Sequence, residues 1–227
     1  MQLDCATPAT SHDGHPKAER GNDSSVFTAI YQDDVNITVW QREQQTILNQ
    51  YAEEWAQHYP THSPRLLVPT SLMSTSKVAQ QIEQALPNLG HKQAFQQDIL
   101  LLIDMFACLF DAEEVGLRLT PLTKAMCPRF HVDNIPCRLV STYAGLGTEW
   151  LLEENLNRSR LGKGANGLPD HKSGIFKDPD TVQQLSCQHV ALLKGSGWIG
   201  NEDHGLVHRS PALPPKQSRL LLTLDFA

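Results

Sequence analysis

Cys127-Pro128-Arg129-Phe130-His131-Val132-Asp133, followed by the strand-like run Pro136-Cys137-Arg138-Leu139-Val140-Ser141-Thr142-Tyr143, decides how this chain reads. In extended backbone, side chains two apart project from one face, so His131 and Asp133 can address a single cation. A further candidate, His208, lies 75 residues beyond Asp133 in Gly205-Leu206-Val207-His208-Arg209-Ser210-Pro211. Two imidazoles and one carboxylate leave coordination positions open, a set that suits non-heme Fe(II). Eleven residues after His208, Arg219 opens the run Arg219-Leu220-Leu221-Leu222-Thr223-Leu224-Asp225. A cation entering a core-like strand needs an anionic partner. The carboxylate of an acidic cosubstrate is one candidate, and a salt bridge to Glu149 or Asp225 is another; Arg209 carries the same ambiguity.

The flanking sequence supplies the frame. Residues 1–24 are polar and rich in Ser, Asp and Gly, the composition of a flexible leader, and residues 25–227 read as one α+β domain. Val35-Asn36-Ile37-Thr38-Val39-Trp40 reads as a strand. A helical part follows over residues 41–111: an amphipathic helix over 41–58, a short helix capped by Thr75 or Ser76 and running through Leu86, and a mostly apolar helix over 91–111. Met105 and Cys108 on the last of these fit core packing. From residue 115 the texture turns to strands, at 115–119, 136–143, 189–193 and 220–226. Residues 153–184 show no long element and read as a loop or insertion near the site.

The chain has 227 residues, 40% hydrophobic and 19% charged, with net charge −6. These are the values of a soluble globular domain, and the acidic balance argues against non-specific nucleic-acid binding. No uninterrupted apolar run approaches the length of a membrane span. The start lacks the basic and apolar regions of a signal peptide, and five scattered cysteines do not form a disulfide framework. A reducing cytoplasm is the expected compartment; the oligomeric state is not legible.

Each signal has a plainer competitor. Asp133 could cap the turn at Asn134-Ile135-Pro136. His204 lies four residues before His208, but Gly200, Gly205 and Pro211 disfavour the helix that such a pair needs to chelate. Cys127 and Cys137 could join His131 and His208 in a zinc site, although their spacing is not that of a Cys-x-x-Cys knuckle. Trp150 and Trp198, each after a Gly-rich turn, are candidates for core or substrate-pocket walls. Walker and Gly-x-Ser-x-Gly patterns are absent.

From Val115 onward the chain resembles the 2-oxoglutarate/Fe(II)-dependent oxygenases of the prolyl-hydroxylase-like branch. The lead strand Gly116-Leu117-Arg118-Leu119, the pair His131 and Asp133, the strand ending at Tyr143, and the turn Gly145-Leu146-Gly147-Thr148-Glu149-Trp150 fall in that order. Leu193 to Trp198, His208 and the strand from Arg219 complete it. The lead strand departs from the pattern by carrying Leu119 and Thr120 near the place of a common tyrosine. The resemblance implies a double-stranded β-helix (jelly-roll or cupin-like) core over residues 115–227 with supporting N-terminal helices. It further implies Fe(II) on His131, Asp133 and His208, 2-oxoglutarate held by Arg219 or Arg209 with Tyr143, and hydroxylation of a small molecule or protein side chain. The blocks around His131, Trp198-Ile199-Gly200-Asn201-Glu202 and His208-Arg209-Ser210-Pro211 also resemble a bacterial domain of unknown function, family 1826, whose members lie near zinc-homeostasis genes. That second resemblance opens an alternative: a non-catalytic, cupin-like zinc-binding protein with Cys127, Cys137 or His204 among its ligands. A scaffold role for the His-x-Asp pair, in an interaction module, is the third reading.

Overall fold

The computed structural model describes residues 16–73 and 76–227. Ten strands and four α-helices are assigned among them. The strands are β1 (Lys17–Gly21), β2 (Val35–Trp40), β3 (Arg65–Pro69), β4 (Glu114–Leu122), β5 (Cys137–Ala144), β6 (Glu149–Trp150), β7 (Gln183–Gln184), β8 (Val190–Lys194), β9 (His208–Arg209) and β10 (Arg219–Phe226). The helices are α1 (Thr46–His58), α2 (Ser76–Ala85), α3 (Lys92–Phe110) and the single turn α4 (Asp170–Ser173). Seven strands make one sheet in the order β1-β2-β8-β5-β10-β4-β3, and β7-β6-β9 form a small second sheet. All pairings are antiparallel except β1 with β2.

Alternation in the strands sorts the large sheet into two faces. Leu220, Leu222 and Leu224 of β10, with Leu139 and Tyr143 of β5 and Leu117 and Leu119 of β4, face the helices. There Tyr51 and Trp55 of α1 and Phe95, Ile99, Leu102 and Phe106 of α3 bury against them. The opposite face sends Ile37, Val39, Val140, Ala191, Leu193 and Leu221 against Trp150, Leu185 and Leu206, so a second apolar cluster fills the space under the small sheet. The site lies on this second side.

The α+β class and the strands β2, β4, β5, β8 and β10 agree with the sequence reading. Several details do not. Residues 17–21, read as part of the polar leader, form the edge strand β1, which a 3₁₀ helix over Ser24–Tyr31 connects to β2 as a parallel neighbour. Its alternation is too short and polar to register as a strand. Residues 1–15 and Thr75, the proposed cap, lie outside the described residues. The stretch taken as helical also contains β3, the edge strand beyond β4. Cys108 is exposed and not a core residue, because α3 turns that face away from the sheet. By length and composition α3 could cross a membrane, which the sequence reading missed; its inward row is committed to the core cluster.

Candidate metal centre and cleft

His131 and His208 meet through backbone pairing. Each N–H donates to the other's carbonyl at 3.0 Å, forming an isolated antiparallel bridge beside β9. The segment after His131 is not a regular strand. Glycines hold it in place. A Cβ on Gly195 would lie 2.6 Å from the Asp133 carbonyl, and one on Gly205 would lie 2.4 Å from Val132 Cγ1. Only glycine lets these two turns pack against the segment carrying Asp133. Ser196 N–H then donates to the Asp133 carbonyl at 2.9 Å.

Ligand atoms of His131, Asp133 and His208 all lie within 4.8 Å of one another. His131 Nε2 is 3.6 Å from Asp133 Oδ1, and His208 Nε2 is 3.6 Å from Asp133 Oδ2. The other ring nitrogens face carbonyls: His131 Nδ1 stands 2.9 Å from Arg129 O and His208 Nδ1 3.2 Å from Leu206 O. Donation from Nδ1 to those carbonyls leaves both Nε2 lone pairs directed at the shared space. Asp133 is fixed by Arg138, whose Nη1 donates to Oδ2 at 2.6 Å while Nε and Nη2 engage Asp225 at 2.6 and 3.0 Å. Burial raises the Asp133 carboxyl, but His131, His208 and Arg138 outweigh that and hold it down at about 2. Burial pushes His208 down to about 4, whereas the Asp133 carboxylate raises His131. At neutral pH the cluster therefore offers a neutral buried imidazole, a second imidazole and an ionised carboxylate.

The cluster opens on a small cleft lined by Arg118, Thr120, Arg138, Thr148 and Thr223 together with both histidines. Arg219 lies on the same face of β10 as the lining residues Leu221 and Thr223. It is 1% exposed, and its guanidinium donates to Thr142 Oγ1 at 3.2 and 2.9 Å and to Thr148 Oγ1 at 2.7 Å. No carboxylate forms an ion pair with it among the described residues; Glu149 is paired with Arg209, and Asp225 with Arg138. Burial accordingly lowers Arg219 to about 10.

Other candidates go elsewhere. Arg209 is already neutralised, with Nε on Glu149 at 2.6 Å, Nη1 on Asp170 at 2.9 Å, and its plane 4.2 Å from the Phe130 ring. Tyr143 points to the helical face, where its hydroxyl donates to Asp98, itself clasped by Arg42 at 2.6 and 2.9 Å. Odd-numbered positions of β5 face the helices, so its register rules the tyrosine out as a cosubstrate contact. Trp150 is buried in the cluster between the sheets, and Trp198 packs on Tyr31 and Phe110 on the far side; neither lines the cleft. Cys137 is buried on the helical face and cannot reach the histidines. Cys127 is exposed at the cleft but outside the cluster, as is His204. Sequence reading missed Arg138 as the partner of Asp133, and Thr142 and Thr148 as supports of Arg219. The alternation Arg138, Val140, Thr142 was the available signal.

Residues 21–225 match the family described as "Protein of unknown function (DUF1826)". The chain belongs to that family. No curated protein sequence matches this DUF1826 member. Among solved structures, it is similar to a dioxygenase for auxin oxidation from Arabidopsis thaliana bound to 2-oxoglutarate. Identity is 9%, coverage 93% of this chain and 92% of that chain, and the TM-score 0.51. A Pseudomonas putida prolyl-4-hydroxylase shows 11% identity, 89% and 96% coverage and a TM-score of 0.41. Neurospora crassa T7H with α-ketoglutarate and 5-formyluracil shows 11%, 97% and 87%, and 0.46. At 9% identity the Arabidopsis likeness speaks for the fold of the DUF1826 chain alone.

Proposed function

We propose that this chain is a non-heme Fe(II)- and 2-oxoglutarate-dependent oxygenase, a hydroxylase of a small molecule or protein side chain, and that its two sheets are the walls of a double-stranded β-helix. One observation carries the reading: a two-histidine, one-carboxylate cluster opens on a cleft behind whose lining Thr148 lies a buried arginine with no acidic partner among the described residues. The donor set fits the metal. Both imidazoles offer Nε2 while Nδ1 is engaged, and Arg138 occupies Oδ2 of Asp133 without touching Oδ1. Three protein ligands leave further positions for cosubstrate and oxygen. The cofactor and 2-oxoglutarate would supply oxidative decarboxylation coupled to C–H hydroxylation.

The chain's own contribution is positioning. Arg138 holds the Asp133 carboxylate ionised and oriented, with Asp225 balancing its charge. Arg219, kept rigid by Thr142 and Thr148, presents a desolvated cation for the distal carboxylate of 2-oxoglutarate, a charge-assisted contact strengthened by the low local dielectric. Val140 and Leu221 supply apolar wall that excludes water. The test is 2-oxoglutarate consumption and succinate formation by the purified chain. The reading expects strict dependence on added Fe(II) and loss in Asp133→Ala; turnover that survives that substitution, or 2-oxoglutarate that never binds, would count against it.

A further inference from the structure

The cleft carries a second cation that the scheme above does not use. Arg118 on β4 lines it, half-buried, and pairs with no carboxylate among the described residues. Directly opposite Arg118 across the sheet stands Thr223 of β10. Thr223 is 8% exposed, and its hydroxyl is one of three buried side-chain groups without a hydrogen-bond partner among the described residues. Of the three, only Thr223 lines the cleft. A buried hydroxyl left unsatisfied is costly, and such a group aimed into a cleft beside a free guanidinium is a built site for a ligand acceptor. On the other flank, Arg118 pairs in register with Arg65, which is exposed and also unpaired. Like charges directly opposite on a sheet repel, and an anion between them offsets this.

Backbone spacing sets this cation apart from Arg219. Arg219 and Thr223 are four residues apart on β10, about 13 Å along the strand. Arg219 leans to Thr142 on β5, whereas Arg118 belongs to β4 on the opposite side of β10. That adds roughly two strand spacings of about 4.8 Å each. A five-carbon diacid reaches only about 6 Å end to end on ordinary bond lengths.

We infer that the cleft holds two anions at once: 2-oxoglutarate on Arg219, and the carboxylate or phosphate of the molecule to be oxidised on Arg118 and the Thr223 hydroxyl. The inference rests on the oxygenase reading for the first anion, but the second site is defined by its own residues. Calorimetric titration of the Fe(II)-loaded chain without oxygen, saturated with 2-oxoglutarate, tests it with inorganic phosphate and acetate as separate probes. At least one probe is expected to bind with unit stoichiometry and without displacing 2-oxoglutarate; whichever binds tighter names the anion. Arg118→Gln should weaken that probe at least tenfold and change 2-oxoglutarate affinity less than threefold. Thr223→Val should weaken it severalfold while leaving the unfolding midpoint equal or higher, because it deletes an unsatisfied group, so lost binding cannot be put down to misfolding. Competition between probe and 2-oxoglutarate, or an equal loss of both in Arg118→Gln, would make Arg118 the cosubstrate anchor and overturn the inference. Probe binding that is absent, or indifferent to both substitutions, overturns it too. Failure of 2-oxoglutarate to bind, with Arg118-dependent probe binding intact, would sink the oxygenase reading and leave the anion site standing.

Discussion

Replacing Arg219 by methionine separates a functional cation from a structural one. The side chain is 1% exposed and hydrogen-bonds only threonine hydroxyls among the described residues, and burial lowers it to about 10. A depression of that size corresponds to about 3 kcal/mol held against the charged form. A ligand carboxylate placed on the guanidinium recovers an energy of that order. Arg219→Met is therefore expected to weaken 2-oxoglutarate binding by about 100-fold, since 1.4 kcal/mol is a factor of ten. Stability should respond differently. Removing the desolvated charge stabilises by about 3 kcal/mol, while Thr142 and Thr148 each lose a partner at about 1–3 kcal/mol, leaving a net change between roughly 1 kcal/mol of gain and roughly 3 kcal/mol of loss. The assay is calorimetric titration of 2-oxoglutarate into the anaerobic Fe(II)-loaded chain, beside urea denaturation of both proteins. Affinity within threefold of the wild type, or a stability loss above about 5 kcal/mol, would refute the reasoning and make Arg219 a packing residue.

Three further outcomes follow from the same geometry. In chelator-treated protein, His208 is depressed from 6.5 to about 4 by burial, so its contribution is complete above pH 6.5 and lost as pH falls through 4, about 3 kcal/mol in all. His131 is shifted the other way, so its contribution is complete by pH 6.5 and declines only above that; denaturation midpoints should fall between pH 6.5 and 4, and less steeply in His208→Gln, whereas parallel curves would contradict this. Tyr143→Phe removes a donor to the buried Asp98 carboxylate and should cost about 1.5–3 kcal/mol of stability with turnover unchanged; a selective loss of cosubstrate affinity would restore Tyr143 to the site. Cys127→Ser should leave metal affinity within twofold by equilibrium dialysis, because Cys127 lies outside the ligand cluster; loss of the metal would favour the zinc-binding alternative.

The parts of the fold that were legible in the sequence are those where periodicity and burial agree. Val35 to Trp40 and the leucine run after Arg219 announce strands, because each is rich in β-branched or apolar residues over the length of a strand. β1 and β3 were not legible, since short edge strands carry little of their own pattern and take their pairing from the neighbouring strand. In the site, the spacing of His131 and Asp133 and the motif order of the oxygenase resemblance pointed to His208 as their partner, and the choice of His208 over His204 followed from the glycines. The partner assignments were beyond sequence reading. That Glu149 satisfies Arg209 and Asp225 satisfies Arg138, leaving Arg219 without an acid, depends on which carboxylate each register brings into reach. Tyr143 was misplaced because the oxygenase resemblance put it in the site, whereas alternation counted from Leu139 puts it on the helical face.

Fe(II) binding under anaerobic equilibrium dialysis bears most directly on the triad. One ion per wild-type chain is expected, with none retained by His131→Ala, Asp133→Ala or His208→Ala at the same free concentration. Undiminished binding in any of the three folded variants would contradict the assignment of that residue as a ligand, and undiminished binding in all of them would end the account.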